Sequence, residues 1–314
     1  MKKYFFICAT LLSVVLVFSS CSQQDEIIEE EQSNVTTEKQ AMRELKKELD
    51  NYNASFFRYI PETRSSMPWW KRLYRAVYVD AVGGIIGTLF GPWGTVAGAV
   101  SFSGIVICAD IESQSSPFPP FPSRTRSLIE EEYEETPIYE LMYTDALQSV
   151  VLTPNLTNCL DSTGYYHNRI LKNLADSNLV SIAPLQIEVM IGEACNQAEQ
   201  MSNNGKGNST VFDLKVALNF NQLKALCQNA AYSSSSDAFV DALIDLYPER
   251  EDELIFLEDY IDVLCDIDHS NNDGTYASGV LNLISNSTVS DEMKVRLANA
   301  VIIGNASARL WNFQ

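Results

Sequence analysis

Between Asp80 and Asp110 the chain carries no charge: 29 consecutive residues, Ala81 to Ala109, in a molecule of formal net charge −19. A run of that length belongs in the interior of a folded domain or in a lipid bilayer. Glycine punctuates it. Gly83, Gly87 and Gly91 recur every fourth residue, and Gly94 and Gly98 repeat the spacing. On a helix, positions four apart share a face, and glycine there lets a second backbone approach closely. Between the two ladders stands Gly91-Pro92-Trp93-Gly94, with proline second and glycine fourth, which suits a type I turn. The pattern predicts a helix–turn–helix. Arms of about 15 residues would reach roughly 22 Å, short of a ~30 Å hydrocarbon core. Three environments stay open: packing within the protein's own body, a hairpin facing a partner or inserting in a membrane, and a single span kinked at Pro92.

The approach to this run is amphipathic. Trp69 and Trp70 sit beside Lys71, Arg72 and Arg75. Aromatic rings next to cations favour a membrane interface, and equally describe core tryptophans on a helix whose other face is wet. Trp69, Trp70, Gly83, Gly87, Gly91, Gly94 and Gly98 are therefore the candidate residues for membrane or partner contact. With Asp80 ahead of it, the glycine pattern resembles the glycine-zipper segments of membrane-associated proteins and small bacterial peptide toxins.

The first residues read as an export signal. Lys2 and Lys3 precede an apolar stretch over residues 4–18, and Ser19 and Ser20 lead into Cys21. A cysteine directly after small residues resembles the lipobox of bacterial lipoprotein precursors, with Phe18 where leucine is usual. The resemblance implies cleavage before Cys21 and lipidation of its thiol. It places the protein in the cell envelope, at the outer membrane. Removing Lys2 and Lys3 takes the formal charge from −19 to −21, since no acid leaves with them. Residues 21–36 are polar and acidic, too poor in apolar groups to fold alone, and read as a tether. They also resemble the acidic segments that follow the cysteine in surface-displayed Gram-negative lipoproteins.

Charge and composition narrow the rest. With 46% hydrophobic and 20% charged residues the chain is globular in character. Its acidity argues against a nucleic-acid partner. Five cysteines remain beyond Cys8 and Cys21: Cys108, Cys159, Cys195, Cys227 and Cys265. They are odd in number and none forms a C-x-x-C pair, so they give no zinc signature. They read as small buried hydrophobes, with one or two bridges the alternative.

Residues 113–136 hold four prolines and an acidic run and read as a linker. From Pro137 onward, apolar positions recur at helical spacing between polar turns. Ile170, Leu171 and Leu174 share a side of one helix. Ser290 caps the last helix, along which Met293, Leu297, Ala300, Gly304, Ala308 and Trp311 trace a stripe. Strand-like alternation is rare. The expected fold is all-α: a glycine-rich helical hairpin within residues 37–112, then a helical bundle over 137–314.

Chemistry is harder to find. His167, in Gly-Tyr-Tyr-His-Asn at a helix start, has Cys159 and Ser162 upstream but no recognisable nucleophile elbow. It reads as a buried histidine bonded to a neighbour, a structural hub. His269 lies in an Asp/Asn-rich turn that places glycine and glutamate wrongly for a calcium loop. Glu249 and Glu253 read as solvated surface. No catalytic residue, metal or cofactor is assigned. The expected role is non-enzymatic: a lipid-anchored envelope protein that binds an unknown protein or serves a structural purpose. A membrane-active, toxin-like protein inserting residues 81–109, and a hydrolase of unknown type resting on His167, are the alternatives.

Overall fold

A computed structural model describes residues 37–56, 68–114, 162–176, 220–229, 236–267 and 274–311, with scattered positions between 189 and 200. The expected signal segment, tether, Cys21, Cys159, Cys195, His269 and nearly all of the proline-rich linker lie outside them. Among the described residues there is no strand, and the fold is all-α.

The helices are α1 (residues 37–53), α2 (Pro68–Thr88), α3 (Gly91–Gln114), α4 (Thr163–Asp176) and α5 (Phe220–Gln228). After them come α6 (Ser236–Leu246), a 3-10 turn (Pro248–Arg250), α7 (Glu251–Asp266), α8 (Thr275–Asn286) and α9 (Asp291–Leu310). Their ends follow local chemistry. Three acids, Glu251, Asp252 and Glu253, open α7, where the helix dipole favours negative charge. Gly274, at the N-cap of α8, takes the left-handed conformation, φ 85°, which glycine adopts without a steric penalty. Ser290 accepts a hydrogen bond from the Met293 amide at 3.3 Å and caps α9, as its position in the sequence predicts.

The expected hairpin forms, with two corrections. Its arms are longer, 21 and 24 residues. Its turn falls at Leu89 and Phe90, ahead of Gly91-Pro92-Trp93-Gly94. Gly91 has φ 81° and opens α3. Pro92 then occupies the first turn of α3, where its missing N–H would have had no partner. Two turn motifs compete at this sequence, and the helix start wins because α3 gains its packing from Gly94 onward.

The contacts place residues 45–314 in one unit, with residues up to Glu44 outside it. The hairpin is thus part of the same packed body as the C-terminal helices. Helix α2 lies along α3 and against α9; α4 bridges α3 and α9; α7 packs on α2 and α9.

Helix α9 departs from its expected single stripe. Between Arg296 and Ala308 every residue is buried, including Asn299, Asn305 and Ser307. Small residues make this possible: an added Cβ on Gly304 would stand 3.2 Å from the Tyr260 ring, and one on Gly164 of α4 would stand 2.6 Å from the Ala306 methyl. Tyrosine hydroxyls find carbonyls inside the core. Tyr78 donates to Leu254 O at 2.8 Å, and Tyr260 to Val301 O at 3.0 Å. Burying such rings is favourable only when the hydroxyl is satisfied.

Candidate functional site

Two features of α2 and α3 concentrate the unusual chemistry: a glycine seam and a buried polar hub. In the seam, Gly83 faces Gly98 and Gly87 faces Gly94. A Cβ on Gly83 would lie 2.7 Å from the Gly98 carbonyl oxygen, and one on Gly98 would overlap the Gly83 carbonyl. Gly87 and Gly94 exclude side chains from each other in the same reciprocal way. All four are buried, and Gly91, at the tip, is half-buried. These candidate contact residues are therefore in use between α2 and α3. Any membrane or partner contact through the four seam glycines requires the seam to open. Trp69 and Trp70 stand in the first turn of α2, and their side chains lie outside the described set. Among the described residues no helix is long and apolar enough to cross a membrane.

The hub lies at the far end of the uncharged run from the tip. Asp80, on α2, is fully buried. Ser103 of α3 donates to its Oδ1 at 2.5 Å. Ser307 of α9 and the Trp311 indole, just past α9, donate to its Oδ2 at 2.6 and 3.1 Å. His167 of α4 sets its Nε2 3.1 Å from Ser103 Oγ and 3.5 Å from Asp80 Oδ2. Its Nδ1 lies 2.9 Å from Asn168 Oδ1, and Asn168 donates to Ala306 O at 2.9 Å. Four helices converge on one carboxylate. A buried charge is tolerated only when so compensated.

Aspartate, histidine and serine together invite comparison with a hydrolytic triad, in which serine and carboxylate take opposite ring nitrogens of histidine. Here both stand at Nε2, and Nδ1 goes to an asparagine. Ser103, His167 and Asp80 are also each buried to within 1% of fully. His167 is buried and bonded to its neighbours, as the sequence around it suggests. Ser103, Asn168, Ser307 and Trp311 were not foreseen. The one local signal was Asp80 itself, a lone acid in an apolar helix that had to find donors somewhere.

A second charged cluster joins α7 and α9. Arg296 donates through Nε to Glu253 Oε1 at 2.5 Å and through Nη1 to Glu292 Oε1 at 2.6 Å. Glu253, expected on a solvated surface, is buried. The i,i+4 logic of α7 turns it inward beside Leu254 and Leu257. Burial raises its carboxyl above the usual range, against the opposing pull of Arg296 and Arg250.

The outer faces of α6 and α7 are acidic. Desolvation, then the charges of Asp259, Asp237 and Asp241, pushes Glu258 up to about 7. Desolvation, then Glu258, Asp266, Asp259 and Asp237, pushes Asp262 up to about 7. Lys46, from α1, pairs with Asp259 at 2.5 Å. Among the described residues no group of acids, histidines or cysteines is placed to hold a metal ion. Cys227 and Cys265 are free thiols. Burial raises both, Cys227 to about 12, which keeps them from forming the reactive thiolate.

At the hairpin tip an open groove of about 540 Å³ runs between Leu89, Pro92 and the start of α9 at Asp291 and Glu292. It contains no member of the hub. No protein family, curated protein or solved structure matches this chain.

Proposed function

We propose that this is a lipid-anchored envelope protein with a non-enzymatic role, held to the outer membrane through Cys21. Its folded body serves as an interaction or structural module for a protein partner. The single observation that carries the non-enzymatic part is the hub: the serine, histidine and aspartate that share one site are sealed from solvent and connected for holding helices together. The anchoring part rests on the Lys2-Lys3 segment, the apolar stretch and the lipobox-like Cys21. The mature chain's strong acidity means that lipid, and not charge, would have to supply the attachment.

The membrane-active alternative draws on the uncharged run over residues 81–109. In the folded body that run is closed against protein on the seam side, with Asp80 tied to α3 and α9. Insertion would have to break both.

The experiment is envelope fractionation with fatty-acid labelling, comparing the full chain with Cys21→Ala. The expected result is a labelled, membrane-bound wild type and an unlabelled, released variant. A Cys21→Ala chain that stays labelled and bound would overturn the proposal. Full-length Cys21→Ala mixed with dye-loaded vesicles separates the alternative: leakage would favour insertion.

A further inference from the structure

The hydrogen bonds of the hub fix how many protons it holds. Trp311 Nε1–H only donates, so Asp80 Oδ2 is an acceptor there. Asn168 uses its Nδ2 on the Ala306 carbonyl, which only accepts; turning the amide round would set two acceptors face to face. Asn168 Oδ1 therefore faces His167 Nδ1 as an acceptor, and Nδ1 must bear a proton.

On the other side of the ring, Ser103 Oγ lies 3.1 Å from Nε2, 2.5 Å from Asp80 Oδ1 and 3.1 Å from the Ala99 carbonyl oxygen. One hydroxyl has one proton to share among the three. If it goes to Asp80, Nε2 must carry its own proton to donate to Oγ. If it goes to Nε2, Asp80 must carry a proton to donate to Oγ. If it goes to Ala99, Nε2 and Asp80 must both carry one. Any other distribution leaves two lone pairs opposed inside the core. Every balanced arrangement holds at least one proton more than a carboxylate beside a neutral imidazole, and the first two hold one. Those two interconvert when Nε2 passes its proton to Ser103 as Ser103 passes its own to Asp80.

We infer that Asp80, Ser103 and His167 form a closed proton relay, with His167 an imidazolium paired to an Asp80 carboxylate through Ser103. The carboxylate form is the favoured one because its two oxygens receive three donors, from Ser103, Ser307 and Trp311. The remaining groups bonded to the pair from α3, α4 and α9 are uncharged, so the extra proton belongs to the pair. Asp80 lies on the hairpin and His167 outside it. Closing the hairpin against α4 and holding this proton are thus one linked event.

The test is the ring-nitrogen NMR spectrum of His167 in the full-length, ¹⁵N-labelled chain in neutral buffer. His269→Gln removes the only other histidine and makes the assignment. The expected result is two protonated ring nitrogens in the wild type and one in Asp80→Asn. A wild-type His167 with a bare ring nitrogen overturns the inference, whether or not Asp80→Asn folds. Two protons retained in a folded Asp80→Asn would overturn the assignment of the charge to the pair.

Discussion

Gly87 and Gly94 face each other across the hairpin so closely that a side chain on either would enter the other's backbone carbonyl. The obstacle is main chain, which cannot turn aside as a rotamer does. Gly87→Ala and Gly98→Ala should each destabilise the fold by about 1–3 kcal/mol or more, through overpacking that forces the helices apart. Gly84→Ala is the internal contrast, since its added methyl would meet only side chains, Ile303 at 3.3 Å and Thr95 at 3.8 Å. Urea unfolding of the three variants checks the ranking. A Gly87→Ala chain as stable as the wild type would refute the seam.

Removing the centre of the hub should be costly for a different reason. Asp80→Ala leaves Ser103, Ser307 and Trp311 without their shared acceptor and His167 without its partner. Breaking one side of a buried charged network costs about 3–5 kcal/mol. The expected result is a lowered urea midpoint, with tryptophan fluorescence reporting the change around Trp311. An unchanged midpoint would mean that water or another acceptor replaces the carboxylate.

Arg296 and Glu253 give a paired test. Arg296→Met strands the buried Glu253 carboxyl and should cost about 3–5 kcal/mol. Adding Glu253→Leu should recover a large part of that loss, because the pair is then replaced by apolar groups of similar size. A double variant no better than Arg296→Met would show that Glu253 is satisfied by Arg250 alone, 3.6 Å away.

The acidic faces of α6 and α7 set a pH dependence. Glu258 and Asp262 hold protons in the folded state up to about pH 7, well above their ordinary values of 4.5 and 3.8. Between those limits the folded chain binds more protons than the unfolded one, so these two groups make stability fall as pH rises through that window. Asp237 and Asp241 from α6, Asp259 and Asp266 from α7 and Lys46 from α1 complete the surroundings. Thermal unfolding of Glu258→Gln/Asp262→Asn should lose much of the decline that the wild type shows between about pH 4 and pH 7. An equal decline in both proteins would place its origin elsewhere.

Much of the helical framework was legible because its signals are local. The spacing of Ile170, Leu171 and Leu174 gave α4 its buried face, and Ser290 gave α9 its start. The position of the hairpin turn was less legible, because Gly91 and Pro92 serve a turn and a helix start equally well. Glu253 was misplaced for a similar reason: an acid in an acidic run looks solvated until a cation from another helix, 43 residues away, is seen beside it.

That residues 81–109 must leave water, that they form helices, and that their glycine faces admit another backbone could all be read locally. Each follows from charge, spacing and side-chain size within one segment. It took the packing of the helices to make the backbone filling the seam the hairpin's own, and to bring Asp80 to Ser103, His167, Ser307 and Trp311. Those partners stand 23, 87, 227 and 231 residues further along the chain. A hydrogen bond depends on positions in space, and no local pattern encodes which distant donor the packing of four helices will deliver.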